Sequence, residues 1–584
     1  MYKKTKIICT MGPSTDQPYI LENMIQVGMN VARFNFSHGS HDEQQERMAL
    51  VRTVAAKTGQ PIALLLDTKG PEMRLGRFAE GKVHLVAGES FTLTARDVHG
   101  TRVMASVNHK QLPQEVKPGD VILLSDGLVS LKVERVDDQD IVTTILNSGI
   151  MSDRKRVAVP GVAIRLPPLS EQDIADIQFG IKQDMDFIAA SFIQRADDVL
   201  AIRKVLEKGG SSMGIIAKIE NAEGVKNIDE ILKVADGIMV ARGDLGVEIP
   251  AEEVPLVQKI IIKKCNDAGK PVITATQMLE SMINNPRPTR AEASDIANAI
   301  LDGTDAIMLS GETASGKYPV EAVETMARIA LRTESSLVYG GFVQSRSSNT
   351  TISTTDAISH ATVQIAHELS AAAIITVSES GYTARMVSKH RPQSKIVAVT
   401  PHETSFRRML LYWGVIPLLS CRATDSDEMV SSSIIGAQAA ELVNDGDLIV
   451  ISAGVPVGTI GTTNMIRVQV VGKILQKGFG VGGQSAFGKV CRALSVADLA
   501  TKFQPGDVLV VRGVDEENAP YAAQAAAIVA EEGGVTSNAA IIGISYGIPV
   551  LVGADGAISS LTDGEIVTVD ASRGVVYYGQ INAR

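Results

Sequence analysis

Lys218, Glu220, Arg242 and Asp244 are the residues from which chemistry can first be read in this chain. They stand in the stretch IIAKIENAEGVKNIDEILKVADGIMVARGDLG, Ile215 to Gly246, which holds two short apolar runs with a helical pattern between them. Ile215-Ile216-Ala217 ends in Lys218 and Glu220, and Gly237-Ile238-Met239-Val240 ends in Arg242, Gly243 and Asp244. Ile228, Ile231, Leu232 and Val234 recur between them at helical spacing. A parallel strand, helix, strand unit brings both strand ends to one rim, so residues distant in sequence become neighbours. Two carboxylates suit a hard divalent ion, and the flanking cations suit an anionic, phosphorylated substrate held on it. A surface ion-pair cluster is the plain alternative. Four charges at two adjacent strand ends, followed by Gly-Asp-Leu-Gly, favour a site.

The elements that must position these residues can be read in chain order. Apolar runs at Lys6–Cys9, Val31–Phe34 and Ala63–Leu66 alternate with the helical stretches Pro18–Val27 and Glu43–Lys57. The second run closes with Arg33, Asn35, Ser37 and His38, and the third leads into Asp67-Thr68-Lys69-Gly70-Pro71-Glu72. From residue 71 to 169 the pattern changes to alternating strands broken by glycines, which predicts a small all-β domain, a β-barrel, inserted there. The rhythm resumes at Ser170 with strands at Phe187–Ala190, in the opening unit, at Val272–Ala275 and at Ala306–Leu309, ending in Thr276-Gln277 and Ser310-Gly311-Glu312. Residues 1–70 and 170–345 thus predict a (β/α)₈ TIM barrel within an α/β chain. A doubly wound open sheet is disfavoured, since it would gather function at one switch point.

A polar linker then leads to residues 346–473, read as a Rossmann-like α/β domain without a Gly-x-Gly-x-x-Gly turn. Residues 474–584 are read as a compact fourth domain of α/β type containing the strand Val508–Val511 and a helix over Tyr521–Glu532. The length of 584 residues agrees with several domains. Net charge of −10 leaves no general affinity for nucleic acid or anionic membrane, so anions must bind in local positive pockets. The four cysteines lack metal-type spacing and are too few for a disulfide framework. No apolar run reaches the roughly 18 residues of a membrane span, and a cytoplasmic protein is expected.

At the strand ends, Asn35, Ser37, Asp67 and Thr68 offer oxygens with a single formal charge, better suited to a monovalent than to a divalent ion. Taken alone, they would read as a turn and N-cap set. They do not stand alone. NVARFNFSHG (Asn30–Gly39), LLLDTKGPEMR (Leu64–Arg74), IIAKIEN (Ile215–Asn221), MVARGDLGVE (Met239–Glu248), VITATQMLESM (Val272–Met282) and PRPTRAEASDIANAILDGTDAIMLSGETA (Pro286–Ala314) together resemble the pyruvate kinase family, over at least residues 5–473.

The resemblance implies phosphoryl transfer from phosphoenolpyruvate to ADP, giving pyruvate and ATP. It also implies roles. Glu220 and Asp244 match ligands of Mg²⁺ or Mn²⁺, and Asn35, Ser37, Asp67 and Thr68 match a K⁺ site. Lys218 matches the cation beside the phosphoryl group in flight, Arg33 the grip on the phosphate, and the backbone of Gly243 and Asp244 the hold on the carboxylate. Thr276, with Ser310 and Glu312, matches a proton relay to the enolate carbon, while Arg74 and Lys155 match nucleotide contacts, the inserted domain acting as a lid. Ser378, Ser380, Gly381, Tyr382 and Thr383, with AGVPVGTIGTTN (Ala453–Asn464), resemble a loop for a phosphorylated allosteric effector, and Glu379 lies inside it. A homotetramer is implied as well.

The last domain resembles the swivelling phosphohistidine domain of phosphoenolpyruvate-utilising enzymes, with Asn538 where the histidine belongs. Two other function classes are weighed. A Mg²⁺-dependent barrel lyase or mutase acting on phosphoenolpyruvate or pyruvate would need neither a lid nor K⁺, and would lack Lys218 beside the metal. A phosphocarrier built on the last domain has no imidazole to use, because every histidine lies at or before His402.

Overall fold

Eight predicted strands close into a barrel: β1 (Lys6–Thr10), β2 (Val31–Asn35), β3 (Ala63–Asp67), β4 (Phe187–Ala190), β5 (Gly214–Ile219), β6 (Gly237–Ala241), β7 (Val272–Ala275) and β8 (Ala306–Leu309). Every neighbouring pair is parallel, and β1 pairs with both β2 and β8, which excludes the open sheet. The computed structural model describes residues 2–162, 164, 166–337, 353–423, 425–455 and 463–580. The linker up to residue 352, and residues 456–462 of the second effector-loop stretch, lie outside them.

The strand period of two sorts the barrel residues into layers. Ile7, Ala32, Leu64, Leu66 and Ile215 face the helices, while Ile8, Val31, Leu65, Ala189, Ile216 and Met239 form the inner cluster, on which Leu410 and Leu411 also pack. Two residues further along the same inner phase come Thr10, Arg33, Asp67, Ser191 and Lys218, all buried. Polar side chains therefore crown the interior at the C-terminal ends of five neighbouring strands, the face on which barrels carry function.

The helices that brace this barrel start where their sequences say. Ser40, Ser170 and Thr289 each cap a helix with the side-chain oxygen and receive a carboxylate from Glu43, Asp173 and Glu292 in return. Between β3 and β4 the insertion forms a six-stranded sheet, Val157–Ala158, Val121–Leu124, Val129–Val136, Asp140–Ile145, Ser90–Thr94 and Met104–Ser106 in spatial order, and a ribbon of Lys82–Leu85 with Gly149–Ser152. Leu85, Phe91, Leu93, Ile122 and Leu131 belong to one core shared by sheet and ribbon. Isolated bridges, Arg74 to Arg156, Leu75 to Val107 and Phe78 to Gly100, tie its loops in.

The chain divides into two compact units, Met1–Thr351 with Ser380–Arg391 and His402–Pro417, and Ile352–Glu379 with Pro392–Pro401 and Leu418–Arg584. A five-stranded sheet runs Val415–Leu419, Lys395–Thr400, Ala373–Val377, Leu448–Ala453, Met465–Val470, the last pair antiparallel. An eight-stranded mixed sheet organises the C-terminal segment, with Val508–Val511 paired parallel to Ala527–Ala530. That second strand corrects the helix expected over Tyr521–Glu532, in which only Tyr521 and Ala522, the end of the short helix Ala519–Ala522, are helical. The run AAQAAAIVA has high helix propensity, but Ala527 to Ala530 are fully buried between neighbouring strands, and tertiary burial overrides propensity. Among the described residues no helix is long and apolar enough to cross a membrane.

Candidate active site

Arg33, Asp67 and Lys218 meet across the barrel crown. Asp67 is 1% exposed and accepts from Arg33 Nε at 2.6 Å on Oδ2 and from Lys218 Nζ at 3.0 Å on Oδ1. Arg33 also donates from Nη1 to Thr10 Oγ1 at 2.8 Å, so β1, β2, β3 and β5 share one network. Burial alone would raise the Asp67 carboxyl, but the Arg33 and Lys218 cations outweigh it and hold the group below the usual carboxylate range. Burial likewise opposes the charge on Lys218, yet Asp67 and Glu220 reverse the sign and raise its ammonium above the usual lysine range. Lys218 is thus a fixed positive charge at neutral pH and not a proton donor.

Glu220 follows β5, is 1% exposed, and holds two donors: Lys218 Nζ lies 3.0 Å from Oε1, and Phe192 N–H donates to Oε2 at 2.7 Å. Burial pushes its carboxyl up; Lys218 opposes that shift and the like charge of Asp244 adds to it. Asp244 sits in the short helix Arg242–Glu248 after β6, beside β5 in the sheet, so the two carboxylates do adjoin. Among the described residues no group of three or more His, Cys, Asp or Glu forms a metal cage. A divalent ion here would take two oxygen ligands from the chain and the remainder from what it binds. The buried carboxylate of Glu220 and the part-exposed one of Asp244 are hard oxygen donors that gain from a cation, and they fit one.

Arg242, expected beside these carboxylates, turns away. Its guanidinium pairs with Asp295 at 2.7 Å and donates to Thr276 O at 2.8 Å. It therefore fixes Thr276, whose backbone φ of 68°, followed by 55° at Gln277, lies in the left-handed region that a β-branched residue rarely adopts. The Thr276 hydroxyl donates to Ala275 O at 2.6 Å and accepts from Gly243 N–H at 2.7 Å. Glu312 is buried with both oxygens engaged, accepting from Leu279 N at 3.0 Å and Ser310 N at 2.7 Å. It staples the loop after β7 to the one after β8.

Ser191 and Arg156 are residues that sequence reasoning missed. Ser191 Oγ accepts from Lys218 Nζ at 2.8 Å and donates to Thr68 O at 2.6 Å, linking the ammonium to the candidate monovalent site. It sits two residues after inward-facing Ala189, a signal that strand phase would have supplied. Within the monovalent set, Asn35 Oδ1 accepts from Ser37 N at 3.0 Å, Ser37 is exposed, and Asp67 is bracketed by its two cations. By donor type, the neutral oxygens of Asn35, Ser37 and Thr68 together with one carboxylate fit K⁺.

Arg74 pairs with Glu72, Nε to Oε2 at 2.8 Å, and donates to Arg154 O at 2.8 Å, while Lys155 is exposed beside it. His38 donates its backbone N–H to Asn35 O and shows no role at the site. In the effector stretch the division between units falls after Glu379. Ser378 N–H donates to Val399 O, and Glu379 lies 3.8 Å from Arg422. Gly381, at φ 77°, precedes the helix Tyr382–Lys389, and a Cβ there would meet Met409 at 2.8 Å.

Three family models match the chain: Pyruvate kinase, barrel domain, at residues 2–323; Pyruvate kinase, alpha/beta domain, at 356–469; and PEP-utilising enzyme, mobile domain, at 503–574. A pyruvate kinase of Geobacillus stearothermophilus is 52% identical over 582 residues, covering 99% of both chains. One of Bacillus licheniformis is 51% identical over 581 residues with the same coverage. Among solved structures, a pyruvate kinase from Cryptosporidium parvum aligns with a TM-score of 0.76 at 39% identity, over 80% of this chain and 96% of that one.

Proposed function

This chain belongs to the pyruvate kinase family, and on that premise we propose how its residues transfer the phosphoryl group of phosphoenolpyruvate to ADP. The array of Arg33, Asp67, Lys218 and Glu220 carries the reading, because it holds a permanent cation beside two carboxylates in a buried crown. With Nε and Nη1 fixed on Asp67 and Thr10, Arg33 offers Nη2 to the phosphate. Lys218 stabilises charge that grows on the oxygens of the group in flight, where a dry site makes it most effective. Glu220 and Asp244 would hold Mg²⁺ or Mn²⁺, which supplies charge neutralisation and orientation of substrate oxygens when bound.

The backbone N–H of Asp244, with that of Gly243 once it exchanges its Thr276 hydroxyl partner for the substrate, is assigned to the substrate carboxylate. Thr276, held by Arg242 and Gly243, faces the enolate carbon and passes it a proton with Ser310. Glu312 is assigned a positioning role, since both its oxygens are committed to backbone amides. Arg74 and Lys155 take the nucleotide phosphates. The barrel lyase or mutase is set aside, because the relatives that match along the full chain are pyruvate kinases. Release of pyruvate from phosphoenolpyruvate and ADP by the purified chain, dependent on Mg²⁺, tests the reading directly. Its absence at millimolar substrate would refute it.

Asn35, Ser37, Asp67 and Thr68 form the K⁺ site of the proposal, and Glu72 nearby sets its dependence. Glu72→Lys would supply a fixed ammonium and is expected to weaken K⁺ activation severalfold. Rates in K⁺ and in tetramethylammonium measure this. Unchanged K⁺ dependence in the variant would contradict it.

Ser378, Ser380, Gly381, Tyr382 and Thr383 are proposed to take a phosphorylated effector in a homotetrameric, cytoplasmic enzyme. Glu379 places a carboxylate in that loop, and like charges at the surface repel by an amount on the order of kcal/mol. A sugar or nucleoside monophosphate should therefore activate at lower concentration than fructose 1,6-bisphosphate. Titrating the rate with each decides it, and tight activation by the bisphosphate alone would sink the argument.

The C-terminal domain is proposed to serve structure and assembly. Asn538 opens the helix Asn538–Tyr546 and donates from Nδ2 to Val514 O at 3.1 Å, and its amide nitrogen has no lone pair free for phosphorylation. After incubation with ³²P-labelled phosphoenolpyruvate, residues 474–584 should carry no acid-labile label. Recovery of label there would overturn the assignment.

A further inference from the structure

Arg156 belongs to the inserted domain by its backbone and to the barrel by its side chain. Its carbonyl accepts from Ser125 N–H at 2.9 Å and it bridges to Arg74, both in the insertion. Its guanidinium, 9% exposed, reaches out and donates from Nη1 to Asp244 Oδ1 at 2.5 Å. Glu248 lies 3.6 Å from Nη2, and the ring of Phe192, after β4, packs 5.0 Å from the guanidinium carbon. Each carboxylate of the proposed divalent site therefore carries a side-chain cation: Lys218 on Glu220 and Arg156 on Asp244.

The two cations differ in what else holds them. Lys218 is anchored on a barrel strand by Asp67 at 3.0 Å and Ser191 at 2.8 Å, so it keeps its place whatever happens at Glu220. Arg156 hangs from another domain, and its remaining acidic neighbours are looser, Glu248 at 3.6 Å and Asp126 at 3.9 Å. A divalent ion on Asp244 would face a full positive charge hydrogen-bonded to the same small carboxylate. Repulsion at such separations is felt although Asp244 is 37% exposed, because the guanidinium itself is only 9% exposed. Beside Arg156 lies a cleft of about 410 Å³, lined also by Glu72, Phe192 and Glu248, into which the guanidinium can turn.

We propose that Arg156 competes with the divalent ion for Asp244, so that metal binding releases the inserted domain's hold on the barrel rim. The proposal rests on the reading of Glu220 and Asp244 as the metal carboxylates. By linkage, a contact that must be broken weakens metal binding by the same factor that the metal weakens the contact. A guanidinium that only oriented Asp244 from outside would do the opposite, since its loss would loosen the ion.

Electron paramagnetic resonance of free Mn²⁺, titrated with the full chain in the absence of nucleotide, separates these outcomes. Arg156→Gln is expected to bind Mn²⁺ roughly tenfold more tightly than the unaltered protein, a difference readily resolved. Arg156→Lys, which keeps the charge but reaches less far, should tighten it about threefold, and it carries the test should the Gln variant fail to fold. Unchanged or weaker Mn²⁺ binding in these variants would overturn the proposal. Glu220→Gln serves as the separate control. If it binds Mn²⁺ normally, the assignment of the metal site itself is at fault, whatever Arg156 does.

Discussion

Replacing Lys218 with methionine should lower kcat by about three orders of magnitude or more at saturating Mn²⁺, with Mn²⁺ affinity staying within a few-fold of the unaltered protein. The argument starts from burial. Lys218 is 10% exposed and its ammonium touches Asp67, Ser191 and Glu220, so it costs no reorganisation at the moment of transfer. Because Asp67 and Glu220 keep its proton on well above neutral pH, its contribution is charge and position, which methionine of similar length removes without opening a cavity. Metal binding should survive because the proposed ligands are Glu220 and Asp244, and a divalent ion on Glu220 would replace the lost counter-charge. A melting temperature depressed without metal and restored by Mn²⁺ would show the same compensation. Turnover within tenfold of the unaltered enzyme would show that Lys218 is not the transition-state cation.

Strand phase is the part of this molecule that its sequence states most openly. The runs from Lys6, Val31, Ala63, Phe187, Val272 and Ala306 were legible because each is short, apolar and closed by polar residues. Their burial on both faces follows from helices outside and a filled interior. Lys218 and Asp67 were found as strand-end charges, yet the same inward phase also picks out Thr10 and Ser191, whose hydroxyls look unremarkable in a linear reading. Arg242 shows the limit of proximity arguments. It does stand at a strand end beside Asp244, but Asp295, on the helix Arg290–Leu301, draws it outward. That partner is invisible without the fold. Arg156 was illegible for a related reason, because its neighbours come from a domain that the sequence places elsewhere. Thr276 gives no hint of its left-handed backbone, since threonine favours extended strands. The strand Ala527–Ala530 was misread because alanine speaks for a helix until a sheet buries it.

Asp67→Asn should be the most damaging conservative change in the barrel, lowering stability by about 3–5 kcal/mol and kcat/KM by roughly three orders of magnitude. Asparagine keeps the volume and one acceptor, so the loss is of charge. Asp67 is 1% exposed and answers two buried cations, Arg33 at 2.6 Å and Lys218 at 3.0 Å. Without it the two positive groups face each other with Glu220 as the nearest remaining counter-charge, and an uncompensated buried ion is what makes breaking such a pair costly. Function follows the same geometry. Lys218 would draw towards Glu220, Arg33 would lose the anchor that aims its free edge, and the proposed monovalent site would lose its one carboxylate, so K⁺ should no longer activate. The pH dependence carries a definite sign. The folded pKa of Asp67 lies below its unfolded value of about 3.9, so its contribution is fully present above that value and is lost as pH falls through the folded pKa. The deficit of the variant should therefore be flat from about pH 6 to 8 and shrink only in acid. Urea unfolding across that range, with rates measured with and without K⁺, tests both parts. A variant within about 1 kcal/mol of the unaltered protein at pH 7 that still responds to K⁺ would show that Arg33 and Lys218 do not depend on this carboxylate.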